Sequence, residues 1–260
     1  TEIYTLSLHD VLPIYTMMAA HISANAVSTV AYLSQINMAI SALGGGLAVG
    51  ASIKISEAYG EGNFELVKRR VSTLFALCGL LGMAILAILI PVAPQFLRLA
   101  NTPEEFIEEG TVYFILELVS LVIIFFNNVY IAIERARGNS KRILNLNMMV
   151  IGIKLSLTAF FVYVLKGGIN YISIATIVSQ LALLGVAVFY MNAKENVFGF
   201  SWKAISFRKL VVAPMIKLSV PVIVEKMAFS LGKVVVNSMS TVYGTLTVGA
   251  LGISNNIGGI

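Results

Sequence analysis

One carboxylate, Glu225, stands inside the apolar run LSVPVIVEKMAFSLG, about 10 Å from its start at about 1.5 Å per helical residue. An ionisable group at membrane depth costs roughly 2.5–3.5 kcal/mol on insertion scales, and faces a cavity or a partner. A carboxyl withdrawn from water is neutralised by a proton or a bound cation, which makes such a site a switch that follows an ion gradient. Pro221 cannot donate to the carbonyl of Lys217, so a helix can bend beside this carboxylate. The competing reading is a structural ion pair. Lys226 is adjacent but about 100° around a helix, and Lys233 lies about two turns on.

Two further charges, Glu117 and Lys154, sit in other apolar runs. They either stand alone in a cavity or pair with each other, and the pair is favoured because two opposite charges insert together at lower net cost. Amides in lipid need partners. Gln35, Asn37, Asn127, Asn128, Asn255 and Asn256 are therefore either helix-to-helix glue or, as a set, the polar lining of a substrate cavity. Ten methionines suit a cavity that accepts varied shapes.

Several chemistries lack residues. The chain has one cysteine, Cys78, and two histidines, His9 and His21, so neither a disulfide framework nor a metal site is expected. HExxH and GxSxG patterns do not occur, and the chain is not read as an enzyme. The G-x-x-x-x-G-K-[ST] phosphate loop is also missing, so no ATP-driven step is expected.

The elements that must position these groups are apolar helices. The chain is 58% hydrophobic and 12% charged, with mean hydropathy +0.88. A soluble domain is nearer half apolar and a quarter charged. A span needs about 20 mostly apolar residues. Residues 27–55, interrupted by Gly44-Gly45-Gly46, satisfy this, as do 71–96, 111–133, 143–165, 169–190 and 218–238, while 242–260 begins a seventh. The fold class is all-α, a polytopic transmembrane helical bundle.

The net charge of +5 does not point to nucleic acid, because the bases fall between the apolar runs. Lys68, Arg69 and Arg70 form one group, and Arg135, Arg137, Lys141 and Arg142 a second. Lys194, Lys203, Arg208, Lys209 and Lys217 form a third. The alternate loops hold Arg98 and Lys166. The positive-inside rule puts the loops near 57–70, 134–142 and 193–217 in the cytoplasm, and the acidic loop NTPEEFIEEG outside. KENVFGFSWKAISFRK mixes bases with Phe198, Phe200, Trp202 and Phe207, the pattern of an amphipathic helix lying on the membrane surface.

The opening TEIYTLSLHDVLPI differs from the rest, with mixed polarity and no helical period. Apart from Val11 it matches the translation of a short-read sequencing adapter. Residues 1–14 are therefore expected to be an artefact, the alternative being a natural N-terminal arm.

Three stretches carry a family resemblance. In the first loop Ser56, Gly60, Gly62, Asn63 and Glu65 fit Ser/Gln…Gly-x-Gly-Asn-x-Glu. In the second, Arg135-Ala136-Arg137-Gly138-Asn139-Ser140-Lys141 fits Arg-Ala-x-Gly-Asp-Ser-Lys, with Asn139 in place of the acid. Ile174–Gln180, IATIVSQ, is similar to Ala-Thr-x-x-Ser-Gln of a sixth helix. In this order, with the long C-terminal run from Ser219, they resemble the multidrug and toxic-compound extrusion (MATE) family.

The resemblance implies twelve helices in two six-helix lobes. Residues 15–192 would be the N-terminal lobe from the end of helix one, 193–216 the cytoplasmic amphipathic connector, and 217–260 helix seven with part of helix eight. Helix eight would echo helix two, Thr247 pairing with Thr29 and Asn255 with Asn37. Relatives with a helix-five sodium or proton site carry Asn and Asp where this chain has Lys154 and Thr158, so a site of that type is not expected here.

The function implied is a secondary transporter in the cell (inner) membrane, exchanging H⁺ or Na⁺ for drugs or other amphipathic organic compounds. Glu225 would couple the ion, and Gln35, Asn37, Asn127, Asn128, Glu117, Lys154 and Asn255 are cavity candidates. The partners are the bilayer and a small organic substrate, with no nucleic acid, ATP or cofactor beyond the coupling ion. The alternative in the same superfamily is a flippase for lipid-linked saccharides, which requires a strongly basic cavity, for which the apolar runs offer only Lys154, Lys226 and Lys233. A membrane-embedded enzyme is a distant third.

Overall fold

The structure, a computed structural model, describes residues 24–99, 104–192 and 196–240. They form seven α-helices with no strand among the described residues: α1 (Ala24–Gly60), α2 (Phe64–Leu89), α3 (Ala93–Leu99), α4 (Glu104–Ala136), α5 (Ser140–Ala159), α6 (Asn170–Met191) and α7 (Lys209–Ser240). A π-helical turn, Phe160–Val164, continues α5. Five segments are long and apolar enough to cross a membrane: Tyr32–Gly60, Phe64–Leu89, Gly110–Ala136, Ser140–Val164 and Asn170–Met191. The expected sixth, 218–238, lies within α7 but is not among them, because Glu225, Lys226 and Lys233 interrupt its apolar run. The expected seventh and the opening 1–14 segment lie outside the described residues.

The central helix is α1. It packs on α7, α4 and α2, while α4 also meets α6, and α6 meets α5. Tyr32, Leu33, Ala48, Ala51 and Ile55 of α1 are buried in the core with Phe114, Leu118, Phe125 and Ile133 of α4. Leu80, Met83, Ile88, Val188 and Phe189 point outward. Apolar residues on both the inner and outer faces are what lipid solvation requires, and helix contacts then depend on close fit rather than on escape from water.

Gly44-Gly45-Gly46 does not break α1, contrary to the sequence expectation. These residues are small because neighbours occupy the space. A Cβ on Gly44 would enter the ring of Phe125, and one on Gly46 would lie 2.9 Å from the Cα of Ile223. Gly50 meets the backbone of Ser219 in the same way. The GxxxG pair Gly46–Gly50 is thus where α1 and α7 approach backbone to backbone. Ser219 Oγ fastens the crossing, donating to Met215 O at 2.8 Å and lying 3.1 Å from Leu47 O.

Two turns at the base-rich end share one design. At the end of α1, Gly62 N–H donates to Tyr59 O and Asn63 N–H to Ala58 O, both at 3.0 Å. At the end of α4, Gly138 N–H donates to Arg135 O at 3.0 Å and Asn139 N–H to Glu134 O at 2.9 Å. Both are Schellman closures, in which a residue with positive φ satisfies the last helical carbonyls. Gly62 and Gly138 have φ of 73° and 74°, which explains a glycine at each position. The following Asn63 or Asn139 starts the next helix, and Asn63 Oδ1 accepts from Leu66 N–H at 3.1 Å. The two loop motifs are therefore helix-reversal signals.

Two segments differ from expectation. Part of the acidic loop NTPEEFIEEG is helical, since α4 begins at Glu104. Glu104 stands in its first turn, at the positive end of the helix dipole. The connector is not an amphipathic helix over its described residues before α7. It is irregular, with one 3₁₀ turn at Trp202–Ala204. Two of its aromatics are anchored individually instead, while Trp202 and Phe207 are exposed. Phe198 is buried 4.9 Å from Tyr59, and Phe200 meets Phe75 edge-on at 5.8 Å. Hydroxyls of α2 capture its backbone: Ser201 N–H donates to Ser72 Oγ and Ser206 N–H to Thr73 Oγ1, both at 3.0 Å. Those bonds satisfy the extended chain locally, so it does not need helical bonding there.

Candidate functional site

A cleft of about 480 Å³ opens between α1, α4 and α7. Its polar lining is Ser41, Asn128, Arg135, Lys226 and Ser230, set in an otherwise apolar wall. The positions follow from helix periodicity. Ser219, Ile223, Lys226 and Ser230 form one stripe of α7, and its first two members are those seated on Gly50 and Gly46. Continuing the stripe beyond that contact brings Lys226 and Ser230 into the cleft. Asn128 enters from α4 opposite Gly45, where its amide would stand 3.7 Å from an added Cβ.

The cleft contains no carboxylate. Neither Arg135 nor Lys226 forms an ion pair with a described residue, and both are exposed. The carboxylate next to Arg135 is engaged elsewhere. Glu134 is 0% exposed and accepts from Asn139 Nδ2 at 2.8 Å, Arg137 Nη1 at 3.2 Å and Arg142 Nη1 at 3.4 Å. Three donors around one carboxylate are what make its burial tolerable. Arg142 also lies 4.2 Å over Tyr190, and Arg137 5.3 Å over Phe198. This network ties the ends of α4 and α6 to the connector.

Glu225 is exposed on α7 and does not line the cleft. It is one residue from Lys226 and so about 100° around the helix. No ion pair joins it to a lysine among the described residues, so the structural salt bridge weighed for it is not formed there.

The remaining site candidates separate into three groups. Asn128 alone lines the cleft. Asn127, its neighbour, turns into the bundle and donates from Nδ2 to Gln180 Oε1 at 2.7 Å, with Gln180 O at 2.9 Å. Glu117 and Lys154 face each other electrostatically inside the α4–α5–α6 bundle, with Tyr113 and Ser173 beside the carboxylate. Ser173 Oγ and Thr158 Oγ1 are buried there without a well-aligned hydrogen bond. Asn37 is 6% exposed, and neither amide atom has a partner among the described residues. Gln35 belongs to α1, but its side chain is outside the described residues, as are Asn255 and Asn256. No group of three or more metal-ligating side chains occurs among the described residues.

Arg135, Ser41 and Ser230 were not sequence candidates for the cleft, and Lys226 was one only as a base for the flippase alternative. Arg135 is indistinguishable from the other bases of its loop by charge alone. Lys226 had a usable signal, its place on the stripe that begins at Ser219.

Comparison with known proteins agrees with this architecture. The MatE family model matches residues 12–163. The probable multidrug resistance protein YoeA of Bacillus subtilis (strain 168) is 26% identical over 219 residues, which cover 82% of this chain and 47% of that protein. The chain thus spans about half the length of that relative. An inward-facing multidrug resistance MATE transporter of the MOP superfamily superposes with a TM-score of 0.85 at 21% identity, over 95% of this chain and 57% of the other. A MOP superfamily transporter from Pyrococcus furiosus gives 0.78 at 20% identity, over 98% and 62%. The helix order, the two reversal turns and the family match together place the chain: it is an integral, multi-pass membrane protein and belongs to the MatE family.

Proposed function

We propose that the protein is a secondary active transporter that expels amphipathic organic compounds in exchange for H⁺ or Na⁺, with the base-rich loops in the cytoplasm. The observation that carries the reading is the cleft between α1, α4 and α7, polar at Ser41, Asn128, Arg135, Lys226 and Ser230 and otherwise apolar, in a chain of this family. Such a lining accepts a molecule with an apolar body and a polar end. The names of relatives, multidrug resistance proteins among them, support this class of cargo.

Coupling is assigned to Glu225. Its carboxylate is exposed on the helix that closes the cleft and pairs with no described cation, so a proton or sodium ion changes the charge of α7 directly. Ion binding then favours one facing of the helix and cargo the other.

The flippase reading is favoured by one observation, the two cations of the cleft without an acid.

Efflux of amphipathic dyes, one anionic and one cationic, from cells carrying the full-length gene product, with proton and sodium gradients collapsed separately, tests the assignment. One collapse should stop efflux, and Glu225→Gln should remove the dependence on that ion. Efflux that survives both collapses defeats coupled antiport.

A further inference from the structure

We propose that the cleft selects an amphiphile whose head group is anionic and phosphate-like, with Arg135 and Lys226 engaging the head and the apolar wall the tail. This rests on the transport reading above and names its substrate class.

The argument begins with charge. Lys226 lies well inside α7, where a cation is disfavoured unless it is paired or serves a cavity, and Arg135 stands in the last turn of α4 at the base-rich end. Among the described residues Arg135 and Lys226 have no acidic partner, and both line the same cleft. The acids next to them in sequence are withheld from it. Glu134 is buried under its own two arginines and Asn139, and Glu225 lies around the helix from Lys226. A cleft with low-dielectric walls and one sign of charge concentrates ligands of the opposite sign. A cationic drug would meet two like charges there and no carboxylate.

The head-group chemistry follows from the donors. A guanidinium fork matches the paired oxygens of phosphate or carboxylate, and an ammonium adds a point charge. Asn128, Ser41 and Ser230 supply neutral donors around them. Met38, Val49, Ile131 and Phe229 complete the wall with apolar surface, suited to a tail rather than to a second polar group.

The test is equilibrium binding to the purified full-length gene product in phosphate-free detergent, comparing hexyl phosphate with hexyltrimethylammonium, which share a tail and differ in the sign of the head. Hexyl phosphate should bind about ten-fold tighter or more. Lys226→Glu and Arg135→Gln should each remove most of that preference, while Lys226→Arg keeps it. Inorganic phosphate at equal concentration should compete poorly, because it lacks the tail. Equal or tighter binding of the ammonium compound overturns the proposal. So does a phosphate preference that persists in both Lys226→Glu and Arg135→Gln. Competition by inorganic phosphate as strong as that of hexyl phosphate overturns the amphiphile. Retained phosphate preference in a protein that moves nothing would defeat the transport reading while leaving this one intact.

Discussion

The amide of Asn127 on α4 donates to Gln180 on α6, at 2.7 Å from the side-chain Oε1 and 2.9 Å from the backbone carbonyl. Both residues are buried, Asn127 at 1% exposure. An amide with two oxygen acceptors at one nitrogen holds two helices at a fixed rotation. Asn127→Ala should lower stability by about 1 kcal/mol, the scale of interhelical hydrogen bonds in membranes, and Tm by a few degrees. Asn127→Asp should do more harm, since a carboxylate would face two oxygens without a proton to offer. Thermal unfolding in detergent measures both, and a variant as stable as the parent would remove Asn127 from the role of fastener.

This pair also shows what was legible beforehand. Gln180 was visible as the end of IATIVSQ, and Asn127 as an amide in an apolar run, but nothing in either stretch says that they meet. Periodicity and charge gave the order of the helices, because apolar length and basic loops are local properties, but α2, α4 and α7 begin well before the apolar runs at 71, 111 and 218, and the 71–96 run divides between α2 and α3. The two reversal turns were legible for the same reason, as Gly62-Asn63 and Gly138-Asn139 are complete signals in themselves. Contacts between helices were not. Gly44-Gly45-Gly46 suggested a break when considered alone, whereas Phe125 and Ile223 fill the space it leaves. The irregular connector escaped because its bonds go to Ser72 and Thr73, far away in sequence.

Gly50 is the tightest point between α1 and α7. A methyl group there would collide with backbone atoms of Ser219, which cannot swing aside as a side chain can. Gly50→Ala should therefore push the helices apart, lose the Ser219 hydroxyl contact with Leu47, and lower stability by about 1–3 kcal/mol, the usual range for overpacking. Gly60→Ala is the control, since nothing lies within 4 Å of an added Cβ there. Equal Tm values for the two variants would show that the crossing tolerates expansion.

Asn139 occupies the position where the family resemblance places an aspartate. Here its Nδ2 donates to Glu134 Oε2 at 2.8 Å, beneath two arginines. Asn139→Asp would replace that donor by a second carboxylate against a fully buried one. The variant should be destabilised by about 1–3 kcal/mol, the cost of leaving a buried acceptor unmatched, and the loss should grow as pH rises from 5 to 8 if like-charge repulsion is the cause. Adding Glu134→Gln should recover part of it. A single Asn139→Asp variant with parental Tm across that range would mean that the arginines absorb the extra charge.

Glu117 and Lys154 decide whether the buried polar cluster of the bundle is a strut or a second ion switch. Lys154 is 6% exposed, and its electrostatic partner is the carboxylate across the helix interface. Removing one member of a buried pair leaves an uncompensated charge and costs roughly 3–5 kcal/mol, whereas replacing both by apolar groups is often neutral. A strut therefore predicts that Glu117→Gln and Lys154→Met each lower Tm sharply, and that Glu117→Met with Lys154→Met restores it. A switch predicts the reverse pattern. Glu117→Gln would keep its Tm, because the site is built to exist with its carboxyl neutralised, and would lose the dependence of efflux on one ion gradient. Tm and gradient dependence measured on the same three variants separate the two roles, since a strut moves the first and a switch the second.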